Sequence, residues 1–130
     1  MATIRAPFTI TARPASGDPG TELPVVGLTV FDKVFDSEAL VATSVVHMVS
    51  ALGASGPLAY VALERVEGTL DGRSGTFALR HVGTIVDGVP TLDLSVVEGS
   101  GTGDLAGLTG TGTIEHTAGG AHLDLVYALV

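Results

Sequence analysis

Apolar and polar positions alternate through much of this chain, and two Asp-Gly pairs set the phase of that alternation. Leu58 to Leu70, Arg73 to Val86 and Val89 to Glu98 each read as a strand. Asp71-Gly72 and Asp87-Gly88 join them. An Asp-Gly pair favours a two-residue type I′ turn, because both central residues need positive φ. The first turn then pairs Leu70 with Arg73, Val66 with Phe77, Glu64 with Leu79 and Ala62 with His81. The second pairs Val86 with Val89, His81 with Leu94 and Leu79 with Val96. One face of the three strands therefore carries Tyr60, Ala62, Glu64, Val66, Phe77, Leu79, His81, Leu92, Leu94 and Val96. A carboxyl group and an imidazole lie diagonally across neighbouring strands of an otherwise apolar wall.

The remaining segments predict more of the same. Pro7 to Ala12 reads as a short first strand, and residues 13 to 24 as a loop holding Pro14, Pro19 and Pro24. Val25 to Phe35 and Leu40 to Leu52 read as strands, the second bent or bulged. Gly53 to Gly56 is a loop; pairing Leu52 with Pro57 across it places His47 opposite Ala62, on the inward face. The segment from Gly99 to Gly110 is too glycine-rich for a strand interior and reads as a closing turn held by Asp104 and Leu105. Thr111 to Thr117 and Ala121 to Val130 form a last hairpin. A turn at Gly119-Gly120 pairs Ile114 with Leu125 and His116 with Leu123, and points Tyr127 and Leu129 inward. No amphipathic helix interrupts this order. Antiparallel strands in meander order remove their edges by closing. The expectation is a single all-β domain over residues 1–130, an antiparallel barrel of seven or eight strands. Such a barrel is just wide enough to be filled by side chains or to hold one small ligand. Inward Ala62, Gly68 and Gly83 are expected to leave room.

Composition sharpens the picture. Of 130 residues, 45% are hydrophobic and only 15% charged, and yet no apolar run approaches the length of a membrane helix. Val61, Leu63, Ala78 and Val82 fall on the outer face, an apolar stripe that points to a homo-oligomer interface. A net charge of −8 argues against nucleic acid and anionic membrane surfaces as partners. The absence of cysteine removes disulfides and thiol chemistry. No long apolar segment follows Met1, so a cytoplasmic location is expected.

The block from Tyr60 to Phe77, Arg80-His81, and the run Gly99-Ser100-Gly101-Thr102-Gly103-Asp104-Leu105-Ala106-Gly107-Leu108-Thr109-Gly110 resemble the DUF3224 family, small bacterial proteins of unknown function. The resemblance covers roughly residues 25 to 130. The glycine run is also similar to the strand-turn of allene oxide cyclases and dirigent proteins. That similarity implies an eight-stranded antiparallel barrel, allene oxide cyclase-like and often oligomeric, whose style of chemistry is cyclisation or isomerisation of an apolar substrate held folded in the cavity. The chain departs from the family pattern at His47, where Glu is expected, and at Met48 and Leu52, where aromatic residues are expected.

The candidate chemistry centres on Glu64 and His81. A carboxyl group in an apolar pocket has its pKa raised, and a nearby imidazole can exchange a proton with it. The structural alternative is a buried hydrogen bond that sets strand register. His47, Tyr60, Ala62, Val66, Phe77, Leu79, Leu94 and Tyr127 complete the expected substrate-binding wall. His47, Glu64 and His81 match a two-histidine, one-carboxylate ligand set, but their local spacing is not that of a metal site, so neither metal nor cofactor is expected. Asp71 and Asp87 are turn formers. His116 and His122 lie beside the last turn, where exposure is expected, and Arg80 and Asp93 are set for an outer ion pair. No nucleophile elbow, phosphate loop or Rossmann fingerprint is present. The expected partner is a hydrophobic small molecule. Two readings of its fate stand side by side: a cofactor-free cyclase or isomerase of a polyketide-, polyene- or lipid-like substrate, with Glu64 as general base or cation stabiliser, His81 as proton partner and His47 or Tyr60 as donor, or a non-catalytic carrier or structural oligomeric barrel.

Overall fold

The computed structural model describes residues 1–14 and 25–129. Eight strands run in chain order around a closed antiparallel barrel: β1 (Ala2–Pro14), β2 (Val25–Asp36), β3 (Leu40–Gly53), β4 (Gly56–Leu70), β5 (Arg73–Val86), β6 (Val89–Val96), β7 (Leu108–Thr117) and β8 (Gly120–Leu129). β8 returns to pair with β1, so no sheet edge is left free. The predicted all-β, eight-stranded barrel is therefore the fold. Of the expected loop at 13–24, Arg13 and Pro14 belong to β1, and the rest lies outside the described residues.

Both Asp-Gly turns set the registers that their chemistry predicts. Asp71 and Asp87 sit at φ 47° and 51°, followed by Gly72 at 82° and Gly88 at 75°. Leu70 pairs with Arg73, Ala62 with His81 and Glu64 with Leu79. Val86 pairs with Val89 and His81 with Leu94. Two other turns differ from expectation. The last hairpin turns at Ala118-Gly119, so Ile114 pairs with Leu123 and His116 with Ala121. That is a slip of two residues, one full side-chain period, and Tyr127 still points inward. Between β3 and β4 the slip is of one residue. Leu52 pairs with Pro57, but Ala51 pairs with Ala59, leaving Leu58 unpaired in a bulge. Pro57 has no N–H to give the ladder, which favours irregular pairing at that point. Every pair beyond the bulge shifts with it.

The two ends of the barrel are built differently. The lower end carries the β2–β3 and β4–β5 turns and the long connection from β6 to β7. Phe35, Leu40, Leu70, Leu105 and Leu108 are fully buried there. The glycine-rich connection takes the place of a strand beside the lower half of β5. Thr102 Oγ1 accepts from the Thr76 N–H at 3.0 Å, and Ser100 Oγ accepts from the Ala78 N–H at 3.0 Å. Gly75 makes this contact possible, because a Cβ there would lie 2.0 Å from the Thr102 carbonyl oxygen. A short 3-10 turn, Gly103–Leu105, then drives Leu105 into the core. Leu105 alone holds this turn from within; Asp104, expected to share that task, is exposed. β7 begins at Leu108, so Gly110 lies inside a strand after all, with Val126 O 2.7 Å from where its Cβ would be.

The upper end carries the β3–β4, β5–β6 and β7–β8 turns. Its inward side chains, among them Phe31, Met48, Tyr60, Leu92 and Ile114, are only half-buried, and Ile10 is 44% exposed. Gly83, expected to leave space, is instead covered by the Tyr60 ring, since an added Cβ would lie 2.2 Å from Tyr60 Cζ.

Candidate functional site

Between the two ends the barrel encloses four polar side chains: Lys33 from β2, Ser44 from β3, Glu64 from β4 and His81 from β5. Lys33 pairs with Ser44 across β2–β3, Val46 with Glu64 across β3–β4, and Ala62 with His81 across β4–β5. All four therefore point inward, within one or two inward positions of each other.

Glu64 is the hub. Its Oε1 accepts from His81 Nε2 at 2.8 Å and from Lys33 Nζ at 3.2 Å, and its Oε2 accepts from Ser44 Oγ at 2.6 Å. Burial on its own would raise the Glu64 pKa; the His81 hydrogen bond, the positive Lys33 and the Ser44 hydrogen bond outweigh it, and the carboxyl stays below its ordinary value. The expectation of a raised pKa is corrected here: three donors, two of them from β2 and β3, hold the carboxylate ionised. Lys33 has a second partner, since its Nζ stands 4.4 Å from the centroid of the Phe8 ring.

A carboxylate can only accept, so His81 Nε2 carries the hydrogen in their bond. In the neutral imidazole the lone pair then sits on Nδ1, fixed there by Glu64 in the way that a carboxylate sets the tautomer of a catalytic histidine. Accessibility divides the four groups in the same sense. Glu64 is 0% exposed, whereas Lys33 and His81 each keep 5%.

The other expected site residues fall in several places. Ala62, Val66, Phe77, Leu79 and Leu94 point inward and are buried around the relay. Tyr60 is inward at the upper end, its hydroxyl pKa raised by burial. Tyr127 is inward at the lower end instead, where it donates to Asp71 Oδ2. Burial, the Asp71 hydrogen bond and the Asp71 charge push its pKa up to about 12. Tyr60 and Tyr127 thus do not share a site, and Asp71 does more than form a turn. His47 is displaced outright. The one-residue slip at the β3–β4 bulge pairs it with Leu63 and turns it outward. It lines an outer groove of about 390 Å³ with Val49, Val61, Leu63, Arg80 and Val82. The His47, Glu64, His81 ligand set does not exist.

On the outside, Arg80 and Asp93 approach to 3.7 Å, as their diagonal positions require. His116 is exposed, but the His122 side chain is mostly covered. It lies 3.4 Å from Glu115 and 3.6 Å from Asp124, whose carboxylate is also held by Arg5 at 2.8 Å. Sequence reading missed Lys33 and Ser44. One signal was available: Lys33 is the only lysine, and it stands at an alternating position between Phe31 and Phe35.

The class that this architecture defines is a closed eight-stranded antiparallel barrel with a buried, hydrogen-bonded ionic cluster. The DUF3224 family pattern, described as a protein of unknown function, matches residues 4–127, and the chain belongs to that family. The crystal structure of a DUF3224 protein of unknown function from Shewanella oneidensis MR-1 is similar over 100% of this chain and 98% of its own, at 34% identity and a TM-score of 0.89. No curated protein matches the chain.

Proposed function

We propose that the barrel binds one apolar small molecule through its upper end and acts on it without a cofactor, as an isomerase or cyclase. The observation that carries this reading is the division of labour in the relay. Glu64 is sealed and saturated, while His81 keeps access to the space above. His81 Nδ1 is then the base that takes a proton from the substrate and returns it at a second atom. Glu64 is a positioning residue: it orients the ring and stabilises the imidazolium formed in between. Of the two roles expected for Glu64, general base and cation stabiliser, this keeps the second. Half-buried Phe31, Met48, Tyr60 and Leu92 offer the apolar surface for a substrate. Holding it in one folded conformer removes entropy from the barrier.

A carrier or structural barrel is the second reading, favoured by the tight packing of Val66, Phe77, Leu79 and Leu94 around the relay. Ligand extracted from the purified protein decides between them. For an isomerase, wild type and His81→Gln release molecules of equal mass but different retention time, substrate from the variant and product from wild type. Identical molecules from both would support the carrier, and a ligand-free protein that also fails to bind Nile red would support the structural barrel.

We place self-association on the outer face of β3–β5. Val49, Val61 and Leu63 are exposed there, beside Arg65, Arg80, Glu67 and Asp93. Both charge signs at the rim allow two copies to face each other without like-charge contact. Leu63→Glu should lower the sedimentation coefficient; an unchanged value would remove this face from consideration. The acidic, cysteine-free composition fits the cytoplasm, where we place the activity.

A further inference from the structure

Lys33 is the only primary amine that the side chains of this protein offer, and it is inside the barrel. An aliphatic ammonium is ordinarily kept at the surface; here it sits between a carboxylate and an aromatic face. Both neighbours stabilise a cation at Nζ, and neither depends on that cation being an ammonium. A protonated imine at the same atom keeps the charge, keeps the Glu64 counterion and remains over Phe8. Exchanging one for the other therefore leaves no buried charge unpaired. His81 shares Glu64 Oε1 with Lys33, so the amine and the imidazole are held on one carboxylate oxygen. Lys33 and His81 are also the two basic groups of the relay that keep residual accessibility.

We propose that Lys33 captures an apolar aldehyde or ketone covalently, as a protonated imine with Glu64 as its counterion. The inference rests on the small-molecule reading above and names the substrate class as a carbonyl compound. The Lys33 ammonium passes one proton to Glu64 Oε1, which accepts from it at 3.2 Å, and the freed amine forms a C–N bond to the carbonyl carbon. The carbonyl oxygen becomes a hydroxyl by taking that amine's second proton. Glu64 then returns that proton to the hydroxyl, the C–O bond breaks, water leaves, and the carboxylate is restored as the counterion of the iminium. Ammonium and carbonyl have become iminium and water, with no change of net charge and no redox partner. If the bound carbonyl compound is unsaturated, its iminium acidifies the neighbouring C–H bonds, and His81 can move a proton from one carbon to another. Hydrolysis by one water reverses the capture and releases the isomer.

A single lysine makes the test clean. The intact protein is incubated with cinnamaldehyde and sodium cyanoborohydride, and adducts are mapped by peptide mass; absence of cysteine removes the competing thiol addition. The expected result is one reduced adduct on Lys33, formed about tenfold faster than on the exposed α-amino group of Met1. It should be suppressed by excess Nile red and absent from Lys33→Arg. Suppression by Nile red in the wild type needs no variant, so the conclusion survives if Lys33→Arg folds poorly. Adducts confined to Met1, or a Lys33 adduct no faster and untouched by Nile red, would overturn the proposal. Nile red binding separates the two levels. Binding that is lost in Ala62→Trp, with no adduct on Lys33, removes covalent capture and leaves the small-molecule reading standing. No binding and no adduct removes both.

Discussion

The lower and upper ends of this barrel are made of the same eight strands and the same alternation, and yet, among the described residues, the inward side chains are more deeply buried at the lower one. At the lower end Asp71-Gly72 closes β4 onto β5, the glycine-rich connection satisfies β5 N–H groups with the Thr102 and Ser100 hydroxyls, and Leu105 is fully buried beneath them. At the upper end the turns only join strands. Tyr60 covers Gly83, and the inward ring from Phe31 to Ile114 stays half-buried. The lower end thus carries the denser packing, and the upper end is where the proposed ligand would enter. The buried polar cluster lies between them: Glu64 is fully buried, and Lys33 and His81 each keep 5% exposure.

The largest effect expected is at that cluster. Glu64→Ala leaves the Lys33 ammonium buried without its counterion, and should cost about 3–5 kcal/mol in urea unfolding. A loss as small as that of a surface substitution would mean that the four groups do not act together. The same carboxylate makes stability depend on pH. Its folded pKa lies below the unfolded one, so its contribution is present above pH 4.5 and is lost as pH falls through the folded value. Glu64→Gln should flatten this acid limb, and an unchanged limb would assign acid unfolding to other carboxylates.

Next comes the contrast between ends. Leu105→Ala empties a fully buried site and should cost about 2–5 kcal/mol. Leu92→Ala, at the half-buried end, should cost about 1 kcal/mol. Equal losses would show that the upper end is as firmly packed as the lower, leaving no room for a ligand.

The smallest effect tests how the lower end is pinned. Tyr127→Phe removes the hydrogen bond to Asp71 and should cost about 1 kcal/mol. Because the folded phenol has its pKa pushed up to about 12, that stability is complete below pH 10 and is lost as pH rises toward 12. In absorbance titration, Tyr127→Phe should remove the higher of two tyrosine midpoints. Removal of the lower one would place Tyr127 in water and unpin the turn.

Turn chemistry made the central sheet legible from residues alone. Asp-Gly admits few backbone geometries, so Asp71-Gly72 and Asp87-Gly88 specified the registers of β4, β5 and β6 and put Glu64 and His81 on one face. Closure of seven or eight strands followed from alternation and from the cost of free edges, and the resemblance of the glycine run made the number eight. The register of β3 was not legible in that way. A bulge at Leu58 adds one residue, and one residue turns His47 from the interior to the outer groove. Lys33 and Ser44 come from β2 and β3, strands that no short-range signal ties to Glu64. Their meeting with the carboxylate, and with it the fall of its pKa, was decided only when the barrel closed, because an ion's protonation depends on which charges surround it in space, whereas a turn depends only on the residues that form it.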